Sequence, residues 1–386
     1  MKTISNLKRQ IAILLLFICS LQISVPVVAA TKSTKDTSRQ KIQLAILLDT
    51  SNSMDGLIDQ AKSQLWRIVN EMAKATSGNE KPELELALYE YGNDRLSVTN
   101  GYITKLSDFT TDLDNVSELL FGLSTNGGSE YCGQVISTST QNLKWDDSRE
   151  SLKIIFIAGN EPFNQGRVNY VEACTGAKGK DILINTIFCG AYQEGVNTMW
   201  KKGADLTGGS YMNIDQDQKT VYINTPYDDQ IMQLNINLNN TYIGYGQTGQ
   251  LKKAKQMEQD KNAAQYGAAN SVERATSKTK HVYKAESWDL VEASEAKKVD
   301  YAKLKEEELP SEMKAMSAIQ KKEFIDKKSK DRTEIKKKMG ELEVKRNEYI
   351  QKEKSKNTKP SAASPLEDAM LNSVKKAAVA KKMKFE

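Results

Sequence analysis

The chain has 386 residues, enough for two or three domains of about 150 residues, and its formal net charge is +5. Residues 31–250 carry 19 Lys and Arg against 27 Asp and Glu, whereas residues 251–386 carry 33 against 23. The single histidine, His281, argues against most zinc sites and most hydrolase mechanisms that use a histidine base. Acidic residues interleave with the basic ones of the second half, which favours solvated helix faces over a nucleic-acid surface.

Residues 1–30 predict a signal peptide. Three cations precede the apolar run 11–18, and small residues lead to a cleavage site after Ala30. A membrane anchor is the alternative, but the apolar run is too short to span a bilayer. Residues 31–40 predict a disordered leader. The mature protein is therefore expected in the periplasm or outside the cell, with at most a peripheral contact to a membrane.

Residues 42–48 form an apolar run that stops at the polar cluster 49–53. The run suits a central strand of a parallel sheet, and the cluster then falls at the carboxyl end of that strand, where such sheets bind ligands. Asp49, Ser51 and Ser53 offer one carboxylate and two hydroxyls, which suit a Mg²⁺-like cation. A strand followed by a helix N-cap is the alternative, because Ser and Asp are favoured caps.

After this cluster, hydrophobic periodicity predicts alternating helices and strands. The predicted helices are 57–72, 108–123, 168–177 and 196–206, and the predicted strands are 84–89, 96–103, 152–157, 182–188 and 211–214. A further helix is expected to open at the loop 124–130. This alternation predicts an α/β fold with a doubly wound, mostly parallel sheet.

The rest of the chain has a different composition. Residues 226–250 predict a helix followed by a glycine-rich linker, and residues 251–356 predict helices at 251–275, 310–330 and 333–356. The last of these keeps a 4-3 apolar rhythm but is too short for a long coiled coil. Residues 357–386 predict a linker and a basic C-terminal segment that is helical or disordered. We expect this helical tail to be separable, with packing on the acidic half as the competing outcome.

The D-x-S-x-S pattern of Asp49, Ser51 and Ser53, between a hydrophobic strand and a long amphipathic helix, resembles the metal-ion-dependent adhesion site (MIDAS) of von Willebrand factor type A (VWA) domains. The resemblance extends over residues 41–225. The runs PYDDQ, TYIGYG, QDKNAA and SWDLVEA resemble a group of secreted bacterial VWA proteins. The resemblance implies a Rossmann-like VWA fold followed by the helical tail.

Two further loops resemble the family's metal loops. Ser129 stands where the family has a threonine, with Thr125 as a fallback and a simple helix cap as the alternative reading. The loop 158–162 resembles T-D-G-E-P, but Gly159 replaces the aspartate and leaves Glu161 or Asn160 as substitutes.

The resemblance therefore implies a weak divalent-cation site, and an aspartate introduced at position 159 is expected to strengthen it. Mg²⁺ is the expected ion, with Ca²⁺ or Mn²⁺ as alternatives. The predicted ligands are Asp49, Ser51, Ser53, Ser129 and Glu161.

The predicted function is protein binding outside the cytoplasm, in which a carboxylate of a protein partner completes the coordination of the cation. The alternative is a structural envelope scaffold that acts through the helical tail and has no metal function. An enzyme with Cys132 or Ser53 as nucleophile lacks a histidine partner, so no enzymatic activity and no nucleic-acid partner are expected.

One disulfide is expected, between Cys132 and Cys174, with Cys189 unpaired. With the usual strand order of this fold, the helices that carry Cys132 and Cys174 lie side by side. Three buried free thiols are the alternative.

Overall fold

Six strands form the central sheet in the part of the chain that the computed structural model describes, which is residues 39–217, 223–356 and 365–385. All neighbours are parallel except the antiparallel edge pair of β4 with β3. This topology confirms the predicted doubly wound α/β class. In spatial order the strands are β4 (Ile103–Thr110), β3 (Glu83–Tyr91), β1 (Lys41–Asp49), β5 (Leu152–Gly159), β6 (Leu183–Cys189) and β7 (Tyr211–Ile214).

Helices cover both faces of the sheet, which is why nearly every residue of β1 and β5 is buried. On β1, Leu44 and Leu48 face one hydrophobic core, and Ala45 and Leu47 face the other. The first core is closed by α1 (Asp55–Met72) and α2 (Leu113–Phe121). The second is closed by α3 (Cys132–Asn142), α4 (Tyr170–Gly179) and α6 (Trp200–Thr207), with the short α5 (Tyr192–Asn197) before α6.

The edge strand β4 corrects two sequence predictions. The predicted strand 96–103 is wrong, since Val98–Asn100 is a 3-10 turn and the strand begins at Ile103. The predicted helix 108–123 begins only at Leu113. The reason is that β4 is half-exposed and rich in Thr, Ser and Lys, so it lacks the apolar pattern by which a strand is recognised.

Beyond the sheet the chain is mostly helical, as predicted. Residues 318–356 form one continuous helix, which corrects the predicted break between 330 and 333. The short strands β2 (Ala75–Ser77) and β8 (Met383–Phe385) pair antiparallel, a contact that the sequence analysis missed. The helices are α7 (Asp228–Asn239), α8 (Gly249–Ala264), α9 (Ala268–Ser277), α10 (Leu290–Glu295), α11 (Ser311–Lys314), α12 (Ala318–Lys356) and α13 (Pro365–Ala380).

The expectation of a separable tail is wrong, because residues 39–386 form one unit and the competing outcome holds. Helices α9 and α13 pack against α1, and α12 packs against α7. Their apolar side chains complete the core on the α1 face of the sheet. Buried ion pairs join the basic tail to acidic residues, with Arg274 2.7 Å from Asp114 and Arg346 3.1 Å from Asp228.

The predicted disulfide is also wrong. Cys132, Cys174 and Cys189 are all free and buried. The helices α3 and α4 do lie side by side. However, the sulfur of Cys132 lies 3.9 Å from the hydroxyl of Tyr91, and burial raises the pKa of the Cys174 thiol to about 12. The side-by-side packing of the two helices therefore does not by itself join their cysteines.

Within the described ranges, no helix combines the length and apolarity that a membrane crossing needs. The predicted signal peptide 1–30, the leader up to residue 38 and the linker 357–364 lie outside the described residues.

Candidate metal centre

The turn after β1 brings three predicted site residues together at the carboxyl end of the sheet. Asp49 is fully buried, and its Oδ1 accepts a 2.7 Å hydrogen bond from the backbone N–H of Ser51. The N–H of Thr50 donates to the carbonyl of Tyr91 at 2.9 Å, which holds the turn against β3. The hydroxyl oxygens of Ser51 and Ser53 lie 3.4 Å apart. Asp49, Ser51 and Ser53 therefore form one cluster of oxygen donors.

Glu130 adds a second carboxyl group to this cluster. Glu130 is 4% exposed. A Cβ placed on Gly92 would lie 2.9 Å from Glu130 Cγ and 2.6 Å from Asp49 Oδ1, so the two acidic side chains are neighbours. One oxygen of each carboxyl group, Asp49 Oδ2 and Glu130 Oε2, is buried without a hydrogen-bond partner among the described residues. Buried polar atoms are normally paired, so these two oxygens indicate a missing partner.

Burial and proximity shift the pKa values of both carboxyl groups. Burial raises the pKa of Asp49 well above its usual range, and the adjacent Glu130 raises it further. Burial also raises the pKa of Glu130. Two ionised carboxylates are both hydrogen-bond acceptors, so neither can satisfy the other unless they share a proton or a cation. The cluster is therefore suited to hold a proton at low pH and a cation at higher pH.

Gly159 lies too close to this cluster to be replaced by a larger residue. A Cβ on Gly159 would lie 2.6 Å from Tyr91 Oη and 2.9 Å from Asp49 Oδ2, both far inside normal contact distances. This steric conflict argues against the expectation that an aspartate at position 159 strengthens the site. Gly92 makes room in the same way, since its Cβ would lie 2.9 Å from Glu130 Cγ.

The structure places the other candidate residues around the rim of the cluster. Ser129 precedes Glu130 and is half-exposed. Glu161 is exposed, and its carboxylate accepts a 2.9 Å hydrogen bond from Gln165. Asn160 reaches the cluster through its side chain, which donates to Ser53 Oγ at 3.0 Å.

The fallback residue Thr125 donates a hydrogen bond to Asp55 on the first turn of α1. Its hydroxyl is therefore engaged outside the cluster. Of the predicted rim residues, Ser129 adjoins Glu130 directly in the chain.

The donor set fits a hard divalent cation, although it is sparse. No group of three or more His, Cys, Asp or Glu side chains that could hold a metal ion occurs among the described residues. Two carboxylates with the hydroxyls of Ser51 and Ser53 nevertheless match the oxygen ligands that Mg²⁺ accepts, with water in the remaining positions. The two unpartnered carboxylate oxygens are the observation that such an ion would explain.

Sequence reasoning missed Glu130, although it identified the loop. The family pattern directed attention to the hydroxyl of Ser129, one residue earlier. The available signal was the acid that directly follows a flexible glycine-rich stretch and precedes a helix. Only the fold shows that this acid is buried beside Asp49, because the two residues are 81 positions apart in the sequence.

No family model and no curated protein matches the sequence. Solved structures to which the chain is similar include BatB from Bacteroides thetaiotaomicron, with 17% identity and a TM-score of 0.35, covering 45% of this chain and 90% of that one. A von Willebrand factor type A structure from Catenulispora acidiphila has 14% identity and a TM-score of 0.34, covering 45% and 39%. Mussel byssus proximal thread matrix protein 1, with a zinc-occupied MIDAS motif, has 13% identity and a TM-score of 0.35, covering 47% and 43%.

These likenesses concern the fold alone. More than half of this chain lies outside the matched part in each case.

Proposed function

We propose that the α/β domain of this chain is a VWA-like, extracytoplasmic protein-binding module that holds a divalent cation at the carboxyl edge of its sheet. Asp49 and Glu130 supply the charge, and the hydroxyls of Ser51 and Ser53 supply neutral oxygens. The observation that carries the proposal is the pair of buried, adjacent carboxyl groups, each with an oxygen that lacks a partner among the described residues.

A cation explains this pair better than a shared proton does at neutral pH. A proton shared between one oxygen of each carboxyl group leaves one negative charge buried and uncompensated. A divalent ion balances both charges and accepts several oxygen ligands at once. Mg²⁺ is the proposed ion because the donors are hard oxygens and few, and Ca²⁺ or Mn²⁺ are the alternatives.

Glu130 takes the place of the family's aspartate in this proposal. Gly159 leaves the third loop without that carboxylate, and Glu130 supplies one from the second loop beside Asp49. The site therefore keeps a second carboxyl group, although this group comes from a different loop.

The partner is proposed to be a protein that offers a carboxylate. Ser53 is exposed beside the buried Asp49, so a ligand from solvent can approach the cluster along this side. An acidic group would complete the coordination of the cation, and the cation and the partner would each tighten the binding of the other.

No catalytic step is part of the proposal. The single histidine, His281, lies with its Nε2 3.3 Å from the carbonyl oxygen of Pro82, at the amino end of β3 and thus opposite the cluster. The thiols of Cys132, Cys174 and Cys189 are buried, and burial raises the pKa of each. These features support a binding role over nucleophilic catalysis.

Calorimetric titration of the purified protein with Mg²⁺, Mn²⁺ and Ca²⁺ tests the proposal. Asp49→Ala should abolish binding, and Glu130→Gln should weaken it about tenfold or more, since one charged ligand is removed. Glu80→Gln is the matched control, because it removes an exposed carboxylate of the same chemistry outside the site, and it should change the affinity less than twofold.

Absence of divalent-ion binding in the wild type would refute the metal site. If Asp49→Ala also left the capture of partners from envelope extract unchanged, the structural-scaffold alternative would be favoured.

A further inference from the structure

A second polar site lies at the amino edge of the sheet, opposite the candidate metal centre. It is an open cleft of about 650 Å³ between the α3–β5 loop, the end of α4 and the residue that follows α13. We call it the basic cleft. Six cations and three carboxylates line it, so it has an excess of three positive charges. Five of the six cations come from residues 31–250, whose net charge is negative. The cations are Lys144, Arg149, Lys153, Lys178, Lys180 and Lys381.

Lys153 is the unusual member of this set. It lies on β5 and is only 4% exposed. Its ammonium group donates to the carbonyl oxygen of Asp146 at 3.0 Å and forms no ion pair with a carboxylate of the described residues. Lysine is almost never fully buried unless it is paired. Burial lowers the pKa of Lys153, and an anion bound in the cleft would offset that desolvation.

The other cations divide into two groups. Lys381 pairs with Asp181 at 2.6 Å, and Lys180 donates to the carbonyl oxygen of Thr140 at 2.8 Å. Lys144, Arg149 and Lys178 are exposed and form no ion pair within the described part of the chain. The cleft therefore offers three exposed cations that form no ion pair within the described part of the chain, together with one buried ammonium group. This arrangement points to a ligand with more than one negative charge.

The cleft also has an aromatic wall. Trp145 packs edge-on against Phe109, with ring centroids 4.8 Å apart, and remains half-exposed. The other tryptophans, Trp66, Trp200 and Trp288, are buried. A ring of a ligand can therefore pack on Trp145 while a charged group reaches Lys153, and the cleft volume lies in the range typical of small-molecule sites.

We propose that the basic cleft binds a small organic phosphate, with the phosphoryl group at Lys153 and a sugar-like body against Trp145. A phosphate monoester carries close to two negative charges near neutral pH, and lysine is a common phosphate ligand as a point charge. This proposal is independent of the metal site, because the two sites lie at opposite edges of the sheet and share no residue.

Glucose 1-phosphate is the probe, and protection of Trp145 from acrylamide quenching is the readout, confirmed by calorimetry at 50 mM and 200 mM NaCl. The wild type should bind it, and binding should weaken at the higher salt concentration. Lys153→Met keeps the apolar stem and should weaken binding about tenfold or more. Lys202→Gln removes an exposed lysine outside the cleft and should change the affinity less than twofold.

A double variant, Lys144→Gln with Lys178→Gln, keeps the test decisive if Lys153→Met does not fold. Both residues are exposed, so their replacement should leave folding intact while it weakens binding and flattens its salt dependence. Absence of binding at 10 mM glucose 1-phosphate would overturn the proposal. Equal affinity for inorganic phosphate, or binding only to vesicles of anionic phospholipid, would overturn the assignment to a small organic phosphate.

Discussion

Replacing Glu130 by Gln should stabilise the metal-free protein, although it weakens metal binding. A Cβ on Gly92 would lie 2.6 Å from Asp49 Oδ1 and 2.9 Å from Glu130 Cγ, so these two atoms are at most about 5.5 Å apart. Two unit charges about 5 Å apart repel by about 3 kcal/mol at an effective dielectric of ~20. Gln keeps the shape without the charge, so the free energy of unfolding should rise by about 1–2 kcal/mol once imperfect hydrogen bonding is allowed for.

The sign of the pH dependence follows from the raised pKa values of both carboxyl groups. The folded wild type binds protons more tightly than the unfolded chain, so its stability falls as pH rises from the unfolded carboxyl pKa values through the folded ones. The gain from Glu130→Gln should therefore be larger at pH 8 than at pH 5. Saturating Mg²⁺ should reverse the ranking, because only the wild type gains its full binding energy.

Urea unfolding, followed by tryptophan fluorescence at both pH values with EDTA and then with Mg²⁺, measures these differences. Glu80→Gln, at an exposed carboxylate outside the site, should give wild-type stability throughout. A Glu130→Gln variant that is less stable than the wild type in EDTA at pH 8 would refute the repulsion argument.

Three further predictions concern other parts of the molecule. Gly159→Asp should lower the free energy of unfolding by about 1–3 kcal/mol and should not strengthen Mg²⁺ binding, as urea unfolding and calorimetry would show. Arg274→Met should cost about 3–5 kcal/mol, because it leaves buried acidic partners uncompensated, whereas Arg167→Met on the exposed surface should cost almost nothing. Burial raises the pKa of Glu367 to about 7, so wild-type stability should fall between pH 4.5 and 7. Glu367→Gln should flatten that slope by up to ~3 kcal/mol, and an unchanged slope in urea unfolding from pH 4.5 to 8 would contradict the assignment.

Several elements were predictable because their causes are local. The apolar run of β1, its abrupt polar end at Asp49 and the amphipathic α1 that follows are features of adjacent residues, and the structure confirms the elements. The same holds for β5, whose sequence is apolar except for Lys153 and therefore predicts a buried strand. β4 was misplaced because an exposed edge strand needs no apolar pattern, and its strand state depends on pairing with β3.

The sequence by itself determined the fold class, the position of the polar cluster after β1 and the helical character of the tail. These features depend on hydrophobic periodicity and on the chemistry of residues that are neighbours in the chain. Only the tertiary structure decided which distant residues meet. In the folded chain, Glu130 is buried beside Asp49, and Gly159 has no room for a side chain. Lys153 lies buried at the basic cleft, and helices of the tail pack on α1. The physical reason is that burial and electrostatic coupling depend on distances in space, which residues remote in sequence acquire only when the sheet and its covering helices assemble.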